Sequence, residues 1–162
     1  MDKKLQNTFN EQIKNELYSA YLYLGMAAYF ESKNLEGFSH WMKVQFKEEQ
    51  THAMKMFNFL VDRGVKVILK DIAPAKVDYA SAMEVFEETL KHEQKVTSLI
   101  NKLYELSLEV NDHAASVFLQ WFINEQVEEE KNATKILEDL KTIKVEGPAL
   151  IMLDRELAKR QG

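Results

Sequence analysis

Six polar side chains occupy places where a helical pattern of apolar residues asks for a core side chain: Glu16, Glu49, His52, Glu93, Gln126 and Glu129. The first of these stripes runs Phe9, Ile13, Glu16, Ala20, Tyr23, Ala27, Phe30, apolar at both ends and acidic in the middle, and the other three repeat that plan. A buried carboxylate without a partner is very costly, so four at one level need a partner. Four carboxylates, one imidazole and one neutral amide make an oxygen-rich set with little nitrogen. Such a set suits two divalent ions bridged by a carboxylate, and favours iron or manganese over a tetrahedral structural zinc, although zinc or copper would compete for it in a test tube. Open positions on a bridged iron pair would let O2 draw electrons from both ions at once. Tyr23 lies one helical step beyond Ala20 on the Glu16 stripe, where its hydroxyl can hydrogen-bond a ligand, supply an electron, or simply be satisfied in the core.

The spacing of these residues is regular. Glu16 to Glu49 and Glu93 to Gln126 are both 33 positions, and Glu16 to His52 and Glu93 to Glu129 are both 36. A shift of 77 carries Glu16 onto Glu93, Glu48 onto Glu125, Glu49 onto Gln126, His52 onto Glu129 and Phe9 onto Phe86. A single Glu-x-x-His pair is most often an ordinary surface pair on a helix. Several chemically matched pairs at one shift instead describe two equivalent hairpins whose midpoints meet at one height.

The elements that must position them are helical throughout. Both prolines lie between periodic segments rich in Leu, Glu, Lys, Met and Ala. The pattern predicts α1 at about 5–32, α2 at about 35–63, α3 at about 82–110, α4 at about 113–143 and a short α5 at about 148–159. "SKNL" separates the first pair, Ser81 and Glu84 form a capping box for α3, Asn111-Asp112 offers an N-cap for α4, and Gly147-Pro148 restarts the chain. The stretch from Gly64 to Ala80 is long and non-periodic, as a crossover in a bundle should be. The expected fold is all-α: two antiparallel hairpins forming a four-helix bundle, a long crossover between them, and a fifth helix, with residues 1–162 as one domain.

Composition removes several alternatives. The chain of 162 residues is 46% hydrophobic, enough for a sizeable core. It has no cysteine, which excludes disulfides, zinc fingers, thiolate-held clusters and rubredoxin-type iron. A net charge of −5 gives no electrostatic reason to expect nucleic acid, and the basic end "AKRQG" does not change that. No apolar run is long enough to span a membrane. The start "MDKKLQNTFNEQ" is charged and helix-like, so an unexported, cytoplasmic protein is expected.

"NELYSAYLYL" (15–24), "EEQTHA" (48–53), "HE" (92–93) and "NEQVEEE" (124–130), at these spacings, resemble non-haem ferritin of the bacterial type across essentially the whole chain. The resemblance implies a ferritin-like iron-storage subunit, a homo-oligomer in a hollow 24-subunit cage, that oxidises Fe(II) with O2 or H2O2 at an intrasubunit di-iron ferroxidase centre. It implies that Glu16, Glu49 and His52 hold one iron and that Glu49 (as bridge), Glu93 and Glu129 hold the second. Gln126 would lie close by and Tyr23 would be the ferroxidase tyrosine. A third iron site in the same family matches Glu48, Glu125 and Glu128, with Glu129 shared; a solvated charge run is the other reading of "EEE".

The likeness has edges. Bacterioferritins carry Glu-x-x-His on both hairpins and a haem methionine directly after the bridging Glu, whereas here the second hairpin has Gln126-x-x-Glu129 and Gln50 takes the methionine's place, so no haem is expected. Animal ferritins line a three-fold channel with an acidic pair whose matching positions are Ser116 and Leu119, so the resemblance does not extend to that route. His40, His92 and His113 are expected to be solvated, Trp41 and Trp121 to pack between helices, and Met42 and Met56 to fill the core. Helix α5 either packs around a four-fold axis or covers its own bundle. The competing functions are a di-iron oxidase or peroxidase that stores nothing, a DNA-coating miniature cage, disfavoured by the intrachain site and acidic chain, and a purely structural bundle, which leaves the midpoint carboxylates unexplained.

Overall fold

The computed structural model describes residues 1–143 and 147–161, so Gly162, the last residue of the basic stretch, lies outside it. The helices are α1 (Lys3–Ser32), α2 (Glu36–Asp62), α3 (Ala82–Glu109), α4 (His113–Ile143) and α5 (Pro148–Leu157). Local chemistry explains their ends. Helix α1 starts earlier than its apolar pattern because the Asp2 carboxylate accepts from the backbone N–H groups of Lys4 at 2.8 Å and Leu5 at 3.1 Å. Ser81 Oγ accepts from Glu84 N at 3.1 Å, while the Glu84 carboxylate reaches back to Ala80 N, one residue before the usual partner in a capping box. Asp112 caps α4 through Ala115 N at 3.1 Å.

Both hairpin turns use the same device. Asn34 has φ +55° and Asn111 has φ +54°, at positions related by the same shift of 77 that relates the acidic residues. Asparagine tolerates the left-handed region better than other side chains, so each chain reverses within a few residues and the helices return antiparallel. Arg63, just past α2, then clamps Asp112 at the start of α4 with two hydrogen bonds of 3.0 Å, tying the two hairpins at one end.

The crossover from α2 to α3 carries no helix or strand and lies directly against α1. A Cβ at Gly25 would sit 2.6 Å from the Lys76 carbonyl oxygen, which explains a glycine in mid-helix. Farther along α1, the buried Asn10 side chain accepts from Ile68 N at 2.7 Å. Helix α5 packs on the start of α2 and on α4. Its Asp154 carboxylate accepts from Phe38 N at 2.9 Å, and a Cβ at Gly37 would fall 1.7 Å from the Asp154 carbonyl oxygen. Leu157 is buried, and Leu150 and Leu153 join the same apolar cluster, so α5 covers its own bundle while Ile151 and Met152 face outward.

The core divides into two apolar clusters. One gathers Phe30, Phe38, Met42, Phe86 and Leu140; the other gathers Phe9, Ile13, Met56, Ile100 and Leu119. Met42 and Met56 are fully buried filler, as expected. The acidic residues form the layer between the clusters. Among the described residues no helix is long and apolar enough to cross a membrane.

Candidate metal centre

Each of the four long helices contributes to this layer: Glu16 and Tyr23 from α1, Glu49 and His52 from α2, Glu93 from α3, Gln126 and Glu129 from α4, all of them buried. The i, i+3 spacing puts Glu49 and His52 on one helix face, and the same spacing does so for Gln126 and Glu129. Glu16, Glu49 and His52 each present a ligand atom within 4.8 Å of the other two, and so do His52, Glu125 and Glu129. Glu93 belongs to neither group; its two oxygens accept hydrogen bonds from Tyr23 and Gln126.

Amide and phenol donors orient the carboxylates. Gln12 Nε2 donates to Glu16 Oε1 at 2.8 Å, and Gln45 Nε2 donates to Glu129 Oε2 at 2.9 Å. Gln126 Nε2 donates to Glu93 Oε2 at 3.1 Å, and the Tyr23 hydroxyl donates to Glu93 Oε1. Glu49 is the exception. Its Oε2 is buried without a hydrogen-bond partner, and His52 Nδ1, 3.5 Å away, does not supply one. Such an orphaned acceptor is costly and calls for a cation.

The electrostatics agree. Burial, then the proximity of Glu93, Glu16 and Glu129, pushes the Glu49 carboxyl well above its ordinary 4.5. Burial pushes Glu93 up to about 7 against the opposing pull of its hydrogen bonds from Tyr23 and Gln126. Glu129 is pushed up to about 8, by burial first and Glu93 second. Burial and the surrounding carboxylates hold the Tyr23 phenol well above 10, so it remains a donor. A layer in which Glu49, Glu93 and Glu129 resist ionising without positive charge, built from carboxylates and one imidazole, fits divalent cations such as Fe(II).

The residues matched to a third site are not gathered in one place. Glu125 lies 3.8 Å from His52 Nε2 and groups with Glu129, Glu48 is held by Arg160 at 2.6 Å, and Glu128 is exposed. Three expectations need correction. His92 is not solvated: its Nε2 is 2.8 Å from Ser19 Oγ, it packs against the rings of Tyr18 and Tyr23, and burial followed by Lys95 lowers its pKa to about 4. His40 is half-buried, its Nε2 2.7 Å from the Arg160 carbonyl oxygen; His113 is exposed as expected. Trp41 is buried between elements, but Trp121 is 38% exposed, its edge against His52 and its ring under the Lys55 ammonium. Ser116 and Leu119 are buried in the bundle.

Sequence reasoning assigned no role to Gln12 and Gln45. A signal existed: each lies four residues before Glu16 or Glu49, on the same helix face. Arg160 had no such signal.

The architecture has known counterparts. A family model described as Ferritin-like domain matches residues 6–143. The chain is 38% identical over 162 residues to a bacterial non-heme ferritin of Bacteroides fragilis, covering 99% of each chain. It is 34% identical over 160 residues to a bacterial non-heme ferritin of Staphylococcus aureus, covering 99% of this chain and 96% of that one. An open pore ferritin from the hyperthermophilic archaeon Archaeoglobus fulgidus superposes with a TM-score of 0.98 at 45% identity, with 99% of each chain covered. Likeness of this degree along the whole length, in a helical bundle with an acidic middle layer, makes the chain a member of the ferritin family.

Proposed function

We propose that this chain stores iron as a subunit of a hollow 24-subunit cage of identical chains in the cytoplasm, and that it oxidises Fe(II) at the buried layer. The observation that carries the reading is Glu49, a fully enclosed carboxylate with an unpartnered oxygen, set among Glu16, Glu93 and Glu129. Fe(II) is the substrate. Two Fe(II) supply the two electrons that, with two protons, convert O2 to H2O2; with H2O2 as oxidant the same two electrons and two protons yield two waters.

The protein's part is to bind, orient and exclude water. Glu16, Glu49 and His52 would hold one ion, and Glu49, Glu93 and Glu129 the other, with Glu49 shared. Gln12, Gln45, Gln126 and Tyr23 keep the carboxylates turned toward the layer through the hydrogen bonds described above, so little reorganisation is needed on loading. Glu93 and Glu129 release their protons as cations enter, because the cations replace the protons that burial had retained. The apolar clusters on both sides keep bulk water from the pair. Ferric product leaves for the cage interior, where mineral grows.

The test is to add excess Fe(II) in air to metal-free protein, pass it through a size-exclusion column and measure iron per chain in the protein peak. Storage in a cage is expected to give iron far beyond the roughly two or three ions that such a centre can hold, on a very large particle. Two or three ions on a small oligomer would move the function to a di-iron oxidase or peroxidase that stores nothing.

A further inference from the structure

A cation from the far end of the chain reaches the edge of the acidic layer. Arg160 follows α5, and its carbonyl oxygen is fixed 2.7 Å from His40 Nε2 on α2. Its guanidinium lies over the Trp41 ring, 4.4 Å from the centroid, and bonds the Glu48 carboxylate at 2.6 Å and the Gln45 side-chain oxygen. The amide nitrogen of that same Gln45 donates to Glu129 Oε2 at 2.9 Å. One amide therefore separates a guanidinium from a buried carboxylate of the layer.

Guanidinium suits this place for three reasons. It stays charged at any ordinary pH, its planar fork serves two acceptors at once, and its flat face stacks on tryptophan. With the main chain anchored and the side chain only 19% exposed, the pair with Glu48 is better ordered than a free surface ion pair. Of the residues matched to a third ion position, Glu125 and Glu129 are grouped with His52, whereas Glu48 is paired with Arg160 instead.

We propose that Arg160 is the resident cation of the third position: it neutralises Glu48, positions Glu129 through Gln45, and admits a third divalent ion only by swinging away. This rests on the reading of the layer as a paired metal site. The displacement is local, since α5 keeps its own anchors at Asp154 and Leu157. Arg160 is thus a positioning residue that sets the order of loading, with the pair first and the third ion last.

Zn(II), which is redox-inert and does not quench fluorescence, is the probe. Calorimetric titration of the metal-free full chain should show two ions per chain, then a third at least about tenfold weaker. Arg160→Gln should tighten the third ion about tenfold or more and weaken the ion held by Glu129 by less than that, with the ion held by Glu16 and His52 unchanged, and adding Glu48→Gln should abolish the gain at the third position. In the wild type, binding of the third Zn(II) should shift tryptophan emission, and Trp41→Phe should remove the shift. An unchanged third affinity in Arg160→Gln, a gain that survives Glu48→Gln, or a third ion that leaves Trp41 emission unaltered would overturn the inference. Failure of every protein to bind even two ions would instead refute the paired site itself, and the inference with it.

Discussion

Replacing Glu49 with glutamine should stabilise the metal-free protein while removing its capacity for two ions. Glutamine has nearly the same shape, so packing is preserved and the change is electrostatic. The native Glu49 carboxyl is raised well above its ordinary 4.5 by burial and by Glu93, Glu16 and Glu129, while the unfolded chain releases that proton near the ordinary value. The native state therefore holds a proton that the unfolded state gives up, and wild-type stability falls as pH rises above about 4.5. At pH 7.5 the penalty is capped at about 4 kcal/mol, three pH units at about 1.4 kcal/mol each. The alternative for the protein, an ionised oxygen without a partner, costs on the order of 1–3 kcal/mol or more. These are two descriptions of one penalty and do not add. Because the new amide must also find acceptors, of which Glu16 is the nearest at hand, a gain of about 1–3 kcal/mol at pH 7.5 is expected, shrinking to near zero at pH 4.5. For a domain of this size that corresponds to roughly 3–10 °C in Tm. Calorimetry and urea unfolding of chelator-treated protein at both pH values, with Zn(II) titration alongside, would measure it. No gain at pH 7.5, or an equal gain at both pH values, would refute the account of Glu49 as an unneutralised buried acid.

Proton release should accompany metal binding. With Glu93 at about 7 and Glu129 at about 8, both are largely protonated at pH 6 and ionised at pH 9, so Zn(II) binding should expel more protons per chain at pH 6 than at pH 9, with Glu93 and Glu129 contributing about two to the difference. Calorimetry in buffers of different ionisation enthalpy reads this directly, and a pH-independent count would contradict it. Tyr23→Phe removes a hydrogen bond that lowers the Glu93 pKa, so that pKa should rise further; Fe(II) oxidation should slow several-fold at pH 7, on the order of the loss of one hydrogen bond, and recover at pH 8.5. Stopped-flow oxidation at both pH values is the check, and an equal loss at each would assign the hydroxyl a different role. Gly37→Leu places a side chain where the Asp154 carbonyl oxygen lies, so α5 should detach, exposing Leu157 at a cost of about 2–3 kcal/mol. Hydrogen exchange at Ala158 and Lys159 should accelerate while two Zn(II) ions per chain still bind; unchanged protection would show that α5 does not depend on this close approach.

What could be read from residues alone is whatever repeats locally. The apolar period of 3 and 4, interrupted by Glu16, Glu49, Glu93 and Glu129, placed the acids in the interior and at one level. Caps at Ser81 and Asp112 set helix starts, and the shift of 77 related two hairpins down to the asparagines at their turns. Helical geometry ties each of these to neighbours within a turn, which is why they are visible without coordinates. The reasons for a glycine at 25 and at 37 appear only in the folded chain, where the Lys76 carbonyl oxygen approaches the one and Asp154 the other. Gln45 lies one helical turn before Glu49, yet its two partners, Glu129 and Arg160, lie 84 and 115 residues away. His92, read as solvated, is packed beside Ser19 because α1 and α3 pass each other there. Positions of that kind depend on how the crossover and the C-terminal segment route across the bundle. Such routes carry no period, so the chemistry of the site was written along the helices, while the approach of Arg160 and the pairing of its supporting donors were decided only by tertiary packing.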